Sequence, residues 1–137
     1  MPETILLEIV TPARLLFSER VAEVTAPGWE GEFGVLPGHT PYLVVLKPGE
    51  VKYKGEKGYT YLAISRGFAE VGGDKVSLLT DAAELAHEID LVRAQAARDR
   101  ALGRLKAGPE ENMDLDRAQA ALQRALARVQ VAGRAAR

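Results

Sequence analysis

Glycine and proline crowd the first half of this chain and alanine the second, and that asymmetry restricts it to two parts of different chemistry. Ten of 13 Gly and six of 7 Pro lie before residue 75, whereas 16 of 21 Ala lie after residue 81. Gly and Pro cut a chain into short pieces joined by turns, while alanine is the strongest helix former. The first half therefore predicts short strands and the second predicts helix, with a boundary near Asp81. A length of 137 residues fits one small domain with an appendage and excludes two large domains.

Alternation of apolar and polar residues supports the strands: Ile5, Leu7, Ile9; Ala22, Val24, Ala26; Val51, Tyr53; Leu62, Ile64; and Val76, Leu78. Turn signals separate them at Pro27-Gly28, Pro37-Gly38, Pro48-Gly49, Gly55 to Gly58, Gly67 and Gly72-Gly73-Asp74. This spacing predicts eight to ten strands in a β-sandwich or barrel over residues 1–84.

Residues 85–137 predict an antiparallel helical hairpin. Asp81 with Glu84 three residues later reads as a capping box, which predicts a helical turn there. A longer helix runs from about Glu88 to Ala107 and stops at Gly108-Pro109; Asn112 or Asp114 caps a second helix that continues to about Ala132. Leu115, Ala118, Leu122, Ala125, Val129 and Ala132 form a seam on the second helix, and Leu91, Ala94, Ala101 and Leu105 answer it on the first, interrupted by Arg98. Alanines bury little area, so the hairpin is held weakly.

Composition excludes several chemistries. Eighteen Lys+Arg against 19 Asp+Glu give a formal charge of −1, so no global charge draws the chain to nucleic acid or an anionic membrane. There are no cysteines, hence no disulfides and no thiolate chemistry, and a reducing, cytoplasmic setting is expected. Met1-Pro2-Glu3-Thr4 lacks a basic region followed by an apolar stretch, so no signal peptide or transit sequence is expected. The longest strongly apolar run, Tyr42 to Leu46, is far short of the about 20 residues of a transmembrane helix. No GxxxxGK[ST] loop, GxSxG elbow or HExxH spacing is present, and His39 and His87 have no metal-ligand companions. No catalytic residue and no metal site is expected.

Three segments carry a family resemblance. Gly31-Glu32-Phe33-Gly34-Val35-Leu36-Pro37-Gly38-His39-Thr40-Pro41 is similar to the GExGVLPGHxP signature of the epsilon subunits of bacterial F-type ATP synthases, called delta in mitochondria. Ile89-Asp90-Leu91-Val92-Arg93-Ala94 resembles the family's IDxxRA motif, and Ala121 to Arg128 resembles its ALxRAxxR segment. The resemblance, with Ile9-Val10-Thr11-Pro12, spans nearly the whole chain.

That resemblance implies a ten-stranded sandwich followed by an α-hairpin, in a non-catalytic rotor subunit of the central stalk. It implies that the sandwich binds the gamma subunit and the c-ring, with the loop of Glu32 facing the ring and His39 near gamma. It implies a peripheral place on the cytoplasmic face of the bacterial membrane, reached only through the complex, which couples proton flow to ATP synthesis. The hairpin is implied to inhibit ATP hydrolysis by extending toward the beta and alpha subunits, an acidic loop of beta pairing with its arginines. In its compact state it is implied to bind ATP, without a required metal, through Glu84, Ile89, Asp90, Arg93, Ala94, Arg100, Arg124 and Arg128. The spacing is compatible: Asp90, Arg93 and Arg100 share one helical face, and Arg124 and Arg128 are one turn apart. Two other readings are a free-standing sandwich and coiled-coil interaction module, and a small enzyme using the barrel interior. The first needs a longer apolar seam, the second a cluster of inward polar groups.

Overall fold

A computed structural model describes residues 4–107 and 114–135. Ten strands come first: β1 (Ile5–Thr11), β2 (Arg14–Val21), β3 (Glu23–Gly28), β4 (Gly31–Val35), β5 (Tyr42–Leu46), β6 (Gly49–Gly55), β7 (Gly58–Ile64), β8 (Gly67–Val71), β9 (Lys75–Thr80) and β10 (Ala83–Leu85). A single 3-10 turn (Ala86–Glu88) leads to helices α1 (Leu91–Lys106) and α2 (Leu115–Ala135).

The strands form one sheet in the order β10-β7-β6-β3-β5-β8-β9-β1-β2, with β4 attached to β3. It curls into two layers. The hinge between them is narrow, because β3 joins β5 only through Gly28 opposite Leu46. Every neighbouring pair is antiparallel except β1 and β9, which run parallel in register from Leu6↔Lys75 to Val10↔Leu79. The edge strand β2 comes back over the inner strand β6, where the rings of Phe17 and Tyr53 lie 4.7 Å apart.

Alternation places the apolar set of each strand on the inner faces. Ile5, Leu7, Ile9, Val24, Val51, Leu62, Val76 and Leu78 are each at most 2% exposed and form one core. Ala22 lies between strands, and Val21 at the end of β2 takes the core position instead.

The capping box expected at Asp81 and Glu84 does not form. Ala83 and Leu85 instead pair with Ile64 and Leu62, so β10 satisfies the edge of β7 that a helical turn would leave open. Asp81 Oδ2 accepts from Arg66 Nε at 3.0 Å. The cap shifts downstream: Glu88 Oε1 accepts from the Leu85 N–H at 3.0 Å, and α1 begins three residues later than the sequence suggests. Asp90 is its N-cap, accepting from the Arg93 N–H at 3.1 Å, and Asp114 caps α2 by accepting from Arg117 N–H at 3.1 Å. Gly108, Pro109 and Asn112 lie outside the described residues.

Packing demands glycine most strictly at residue 67. Gly67 opens β8 against β9, and a Cβ there would stand 1.8 Å from the Leu79 carbonyl oxygen. That contact is backbone and cannot give way locally. Gly67→Ala should destabilise the protein by about 3 kcal/mol through overpacking, whereas Gly73→Ala, with nothing within 4 Å of the added carbon, should not. Thermal melting of the two variants beside the wild type checks this.

Candidate functional site

Two surfaces stand out, one on each half. On the hairpin, α1 and α2 pack through alanine: Ala94, Ala101, Ala118 and Ala125 are buried between or beneath them. Small contacts bring the helix axes close, and the long side chains flanking them line the groove. A cleft of about 320 Å3 opens there, bounded by Glu84, Arg100, Arg104, Arg124 and Arg128 over a floor of Ala97, Ala101, Ala121 and Ala125.

Its electrostatics are lopsided. Four guanidinium groups face one carboxylate, and that carboxylate is engaged. Arg128 Nε and Nη2 donate to the Glu84 oxygens at 2.8 and 3.2 Å in a part-buried bidentate pair. Arg100 and Arg104, like Arg124 and Arg128, are four apart on their helices, where like charges disfavour the helix by a few tenths of a kcal/mol, about 0.2–0.5 per pair. Among the described residues, Arg100, Arg104 and Arg124 make no ion pair within 4.0 Å. A polyphosphate would turn this repulsion into charge-assisted hydrogen bonds.

The structure brings together Glu84, Arg100, Arg124 and Arg128 of the sequence-derived set. Ile89 and Ala94 do not line the cleft; they are 8% and 0% exposed in a small second core with Ala63, Val131 and Ala132. Asp90 is occupied as the N-cap of α1, and Arg93 is exposed on its first turn, one turn before Ala97. Arg104 and the alanine floor were missed as site residues. The signal was available, because Arg104 is one turn beyond Arg100 on the same face.

Within the seam, Ala118, Ala125 and Ala132 are buried, but Leu115 is 51% exposed and Leu91 38%. Val131, not on the expected seam, is fully buried. It points to the sandwich, since α2 rather than α1 carries the main contact with β6 and β7. Beyond it Arg134 forks onto Glu50, Nε and Nη2 donating at 3.0 and 3.1 Å, and its guanidinium lies 4.7 Å over the Tyr61 ring. The hydrogen bond to Glu50, and next its charge, raise the pKa of Arg134 above the ordinary arginine value.

The second surface is apolar and lies on the sandwich. Register aligns Leu15, Val10, Leu79, Phe68 and Val45 across β2, β1, β9, β8 and β5. Leu15, Phe68 and Val45 are half exposed, and neighbouring Leu43 and Trp29 are 69% and 67% exposed. A contiguous apolar stripe of this kind marks an interaction face. The sequence reading overlooked it, although the unbroken run Tyr42 to Leu46 carries apolar residues on both faces of one strand.

The loop between β3 and β4 and the segment before β5 border that stripe. Glu32, expected on a loop, lies instead on β4 opposite Pro27; it is exposed and lines a shallow depression with Trp29, Phe33 and Leu43. His39 is half-buried: its ring lies 4.9 Å from the Tyr42 ring and its Nδ1 is 2.8 Å from the Thr40 carbonyl oxygen. No helix among the described residues is long and apolar enough to cross a membrane, and no cluster of three His, Cys, Asp or Glu side chains suited to a metal occurs among them.

Known proteins match this arrangement along its whole length. Residues 4–86 match the family model "ATP synthase, Delta/Epsilon chain, beta-sandwich domain", and residues 87–133 match "ATP synthase, Delta/Epsilon chain, long alpha-helix domain". The chain therefore belongs to the delta/epsilon family of ATP synthase subunits. Within that family it falls with the epsilon chains of F-type ATP synthases. It is 49% identical to the ATP synthase epsilon chain of Geotalea uraniireducens and 50% identical to that of Geobacter sulfurreducens, in each case over 100% of this chain and 99% of the relative. A chain of the Euglena gracilis mitochondrial ATP synthase superposes with a TM-score of 0.83 at 29% identity, covering 96% of this chain and 82% of that one. A chain from the Tetrahymena thermophila central stalk and c-ring shares the fold at 14% identity, with a TM-score of 0.56 and coverage of 97% and 96%.

The exposed Glu32 and the ring-stacked His39 should respond differently to truncation. Glu32→Ala should leave stability within about 0.5 kcal/mol, as for surface sites free of special contacts. His39→Ala should cost somewhat more, about 1 kcal/mol, through its contact with Tyr42. Denaturant titration of both variants measures the difference.

Proposed function

We propose that the chain is a non-catalytic rotor subunit of the central stalk, in which the sandwich assembles and the hairpin regulates. The exposed stripe from Leu15 to Val45 supports a sandwich that docks onto the gamma subunit. The adjacent β3–β4 hairpin, with Glu32 on β4, reaches the c-ring in this reading, and His39 lies beside the gamma contact. The location is the cytoplasmic face of the cell membrane, peripheral and mediated by the complex that couples proton transport to ATP synthesis. The alpha and beta subunits meet the hairpin when it extends and inhibits hydrolysis.

The observation that carries the regulatory half is the arginine cleft. Arg100, Arg104, Arg124 and Arg128 surround one cavity whose sole carboxylate is already paired. ATP fits this chemistry as a ligand that is bound and not hydrolysed, its phosphates met by guanidinium groups without a required metal. Because only the compact hairpin assembles the cleft, ATP favours that state by its differential affinity and no more. Asp90, Ile89 and Ala94 serve by shaping the start of α1, while Arg93 extends the same basic face.

Calorimetric titration of the isolated chain tests the nucleotide. Heat and a raised thermal midpoint with ATP are expected, both reduced by Arg124→Ala; no heat at millimolar ATP would refute the sensor role. The division of labour is tested separately by residues 1–86 alone, which retain β10 and the core. This piece should fold, co-purify with gamma, and leave the enzyme hydrolysing ATP at least as fast as the intact complex. A folded piece that no longer binds gamma would overturn the assignment of assembly to the sandwich.

A further inference from the structure

The hairpin rests on a small seat. Its apolar contact with the sandwich side consists of Ala63, Ile89, Ala94, Val131 and Ala132, with Tyr61, Ala86 and Val129 partly buried around them. Three of the five central residues are alanine, so transfer from water contributes little. Two bidentate arginine pairs flank Val131, and both acceptors belong to the sheet: Glu84 on β10 takes Arg128 and Glu50 on β6 takes Arg134. Arg128 belongs to the cleft. Arg134 does not line it.

The Arg134–Glu50 pair is nevertheless the more enclosed attachment, through its acceptor: the two arginine side chains are alike at 29% and 26% exposure, but Glu50 is 15% exposed against 35% for Glu84. Arg134 also stacks on Tyr61, a contact that the Arg128 pair lacks among the described residues. A planar fork satisfied at two oxygens and covered on one face by an aromatic ring is screened less by solvent than an exposed pair, and lysine cannot reproduce it. The position matters as well. Arg134 lies in the last turn of α2, so the Glu50 contact fixes the end of the helix opposite the interhelical loop and keeps Val131 seated.

We propose that Arg134, held between Glu50 and Tyr61, is the lock that keeps the hairpin on the sandwich and so sets the anion affinity of the arginine cleft from outside it. Glu84 reaches the cleft from β10, so undocking α2 removes one wall and frees Arg128. Apparent affinity then equals the intrinsic affinity scaled by the closed population. Arg134 is a positioning residue in this scheme: it never touches the ligand. The inference rests on the cleft binding a polyphosphate, but the lock itself is observable without ligand.

Hydrogen exchange of the full chain reads the lock directly, because alanine-rich helices released from the sheet are marginal in water and exchange fast. Arg134→Gln and Glu50→Gln should each speed exchange of α1 and α2 amides about tenfold, as for loss of a partly buried bidentate pair. Amides of β1 and β9 should be unchanged. The double variant should exchange no faster than Arg134→Gln alone, since that change already removes both the Glu50 pair and the Tyr61 contact. Unchanged helix protection, equal loss in β1 and β9, or additive effects would overturn the proposal. The second arm titrates ATP. In Arg134→Gln the apparent affinity should fall by no more than the closed population does, and saturating ATP should restore helix protection. A larger fall would mean that Arg134 contacts the ligand and would overturn the positioning role. If ATP fails to bind the wild type, the cleft reading fails alone and the exchange arm still judges the lock.

Discussion

Closure of a single sheet on itself is the constraint from which the remaining structure follows. A ten-stranded sheet with one apolar face must bury that face, and here it folds across the single Gly28↔Leu46 step so that its two halves cover each other. Ile5, Leu7, Leu46, Leu62 and Leu78 then meet in one core from strands far apart in sequence. Phe17 against Tyr53 seals the remaining seam. Because this burial is complete without the helices, the helices are free to be held by something weaker.

What holds them is of another kind. Helix α2 meets β6 and β7 through Val131, Ala132 and paired charges, and α1 packs chiefly on α2. Alanine lets the helices approach closely but contributes little transfer energy, so side chains at the rim carry much of the specificity. The same rim builds the functional surface. Four arginines line one cleft because they stand on the helix faces that flank the alanine floor. A stable core beside a lightly attached, highly charged element is the arrangement that allows a ligand of modest affinity to change which state predominates.

The outer face of the sandwich adds a second independent surface. Its apolar stripe is built by register, residue opposite residue across five strands, and no local stretch of sequence contains it. Glu32 on β4 and His39 before β5 both lie beside it. The hairpin contacts β6 and β7, and β10 through Glu84, elsewhere on that sheet, so the stripe and the cleft lie on different strands.

The division between strands and helices, the inner positions of most strands, Asp114 as one of two candidate caps for the second helix and the basic character of the hairpin were legible in the sequence, because each depends on neighbours within a few residues, whereas the Asp90 start of α1 was not, since Glu88 was expected there. The turn at Asp81 was misread for the opposite reason: a local capping pattern competed with an unpaired strand edge on β7, and the edge, seventeen or more residues away, decided it. Cleft membership was only partly legible. Spacing places Arg100 and Arg104 on one face of α1, but only the pairing of α1 with α2 brings them to Arg124 and Arg128, and only β10 supplies Glu84. Sequence by itself determined which residues can form strands, helices and charged faces. Tertiary structure decided which of those faces meet, because contacts such as Glu50 with Arg134, 84 residues apart, are set by how the sheet closes and where α2 comes to rest on it.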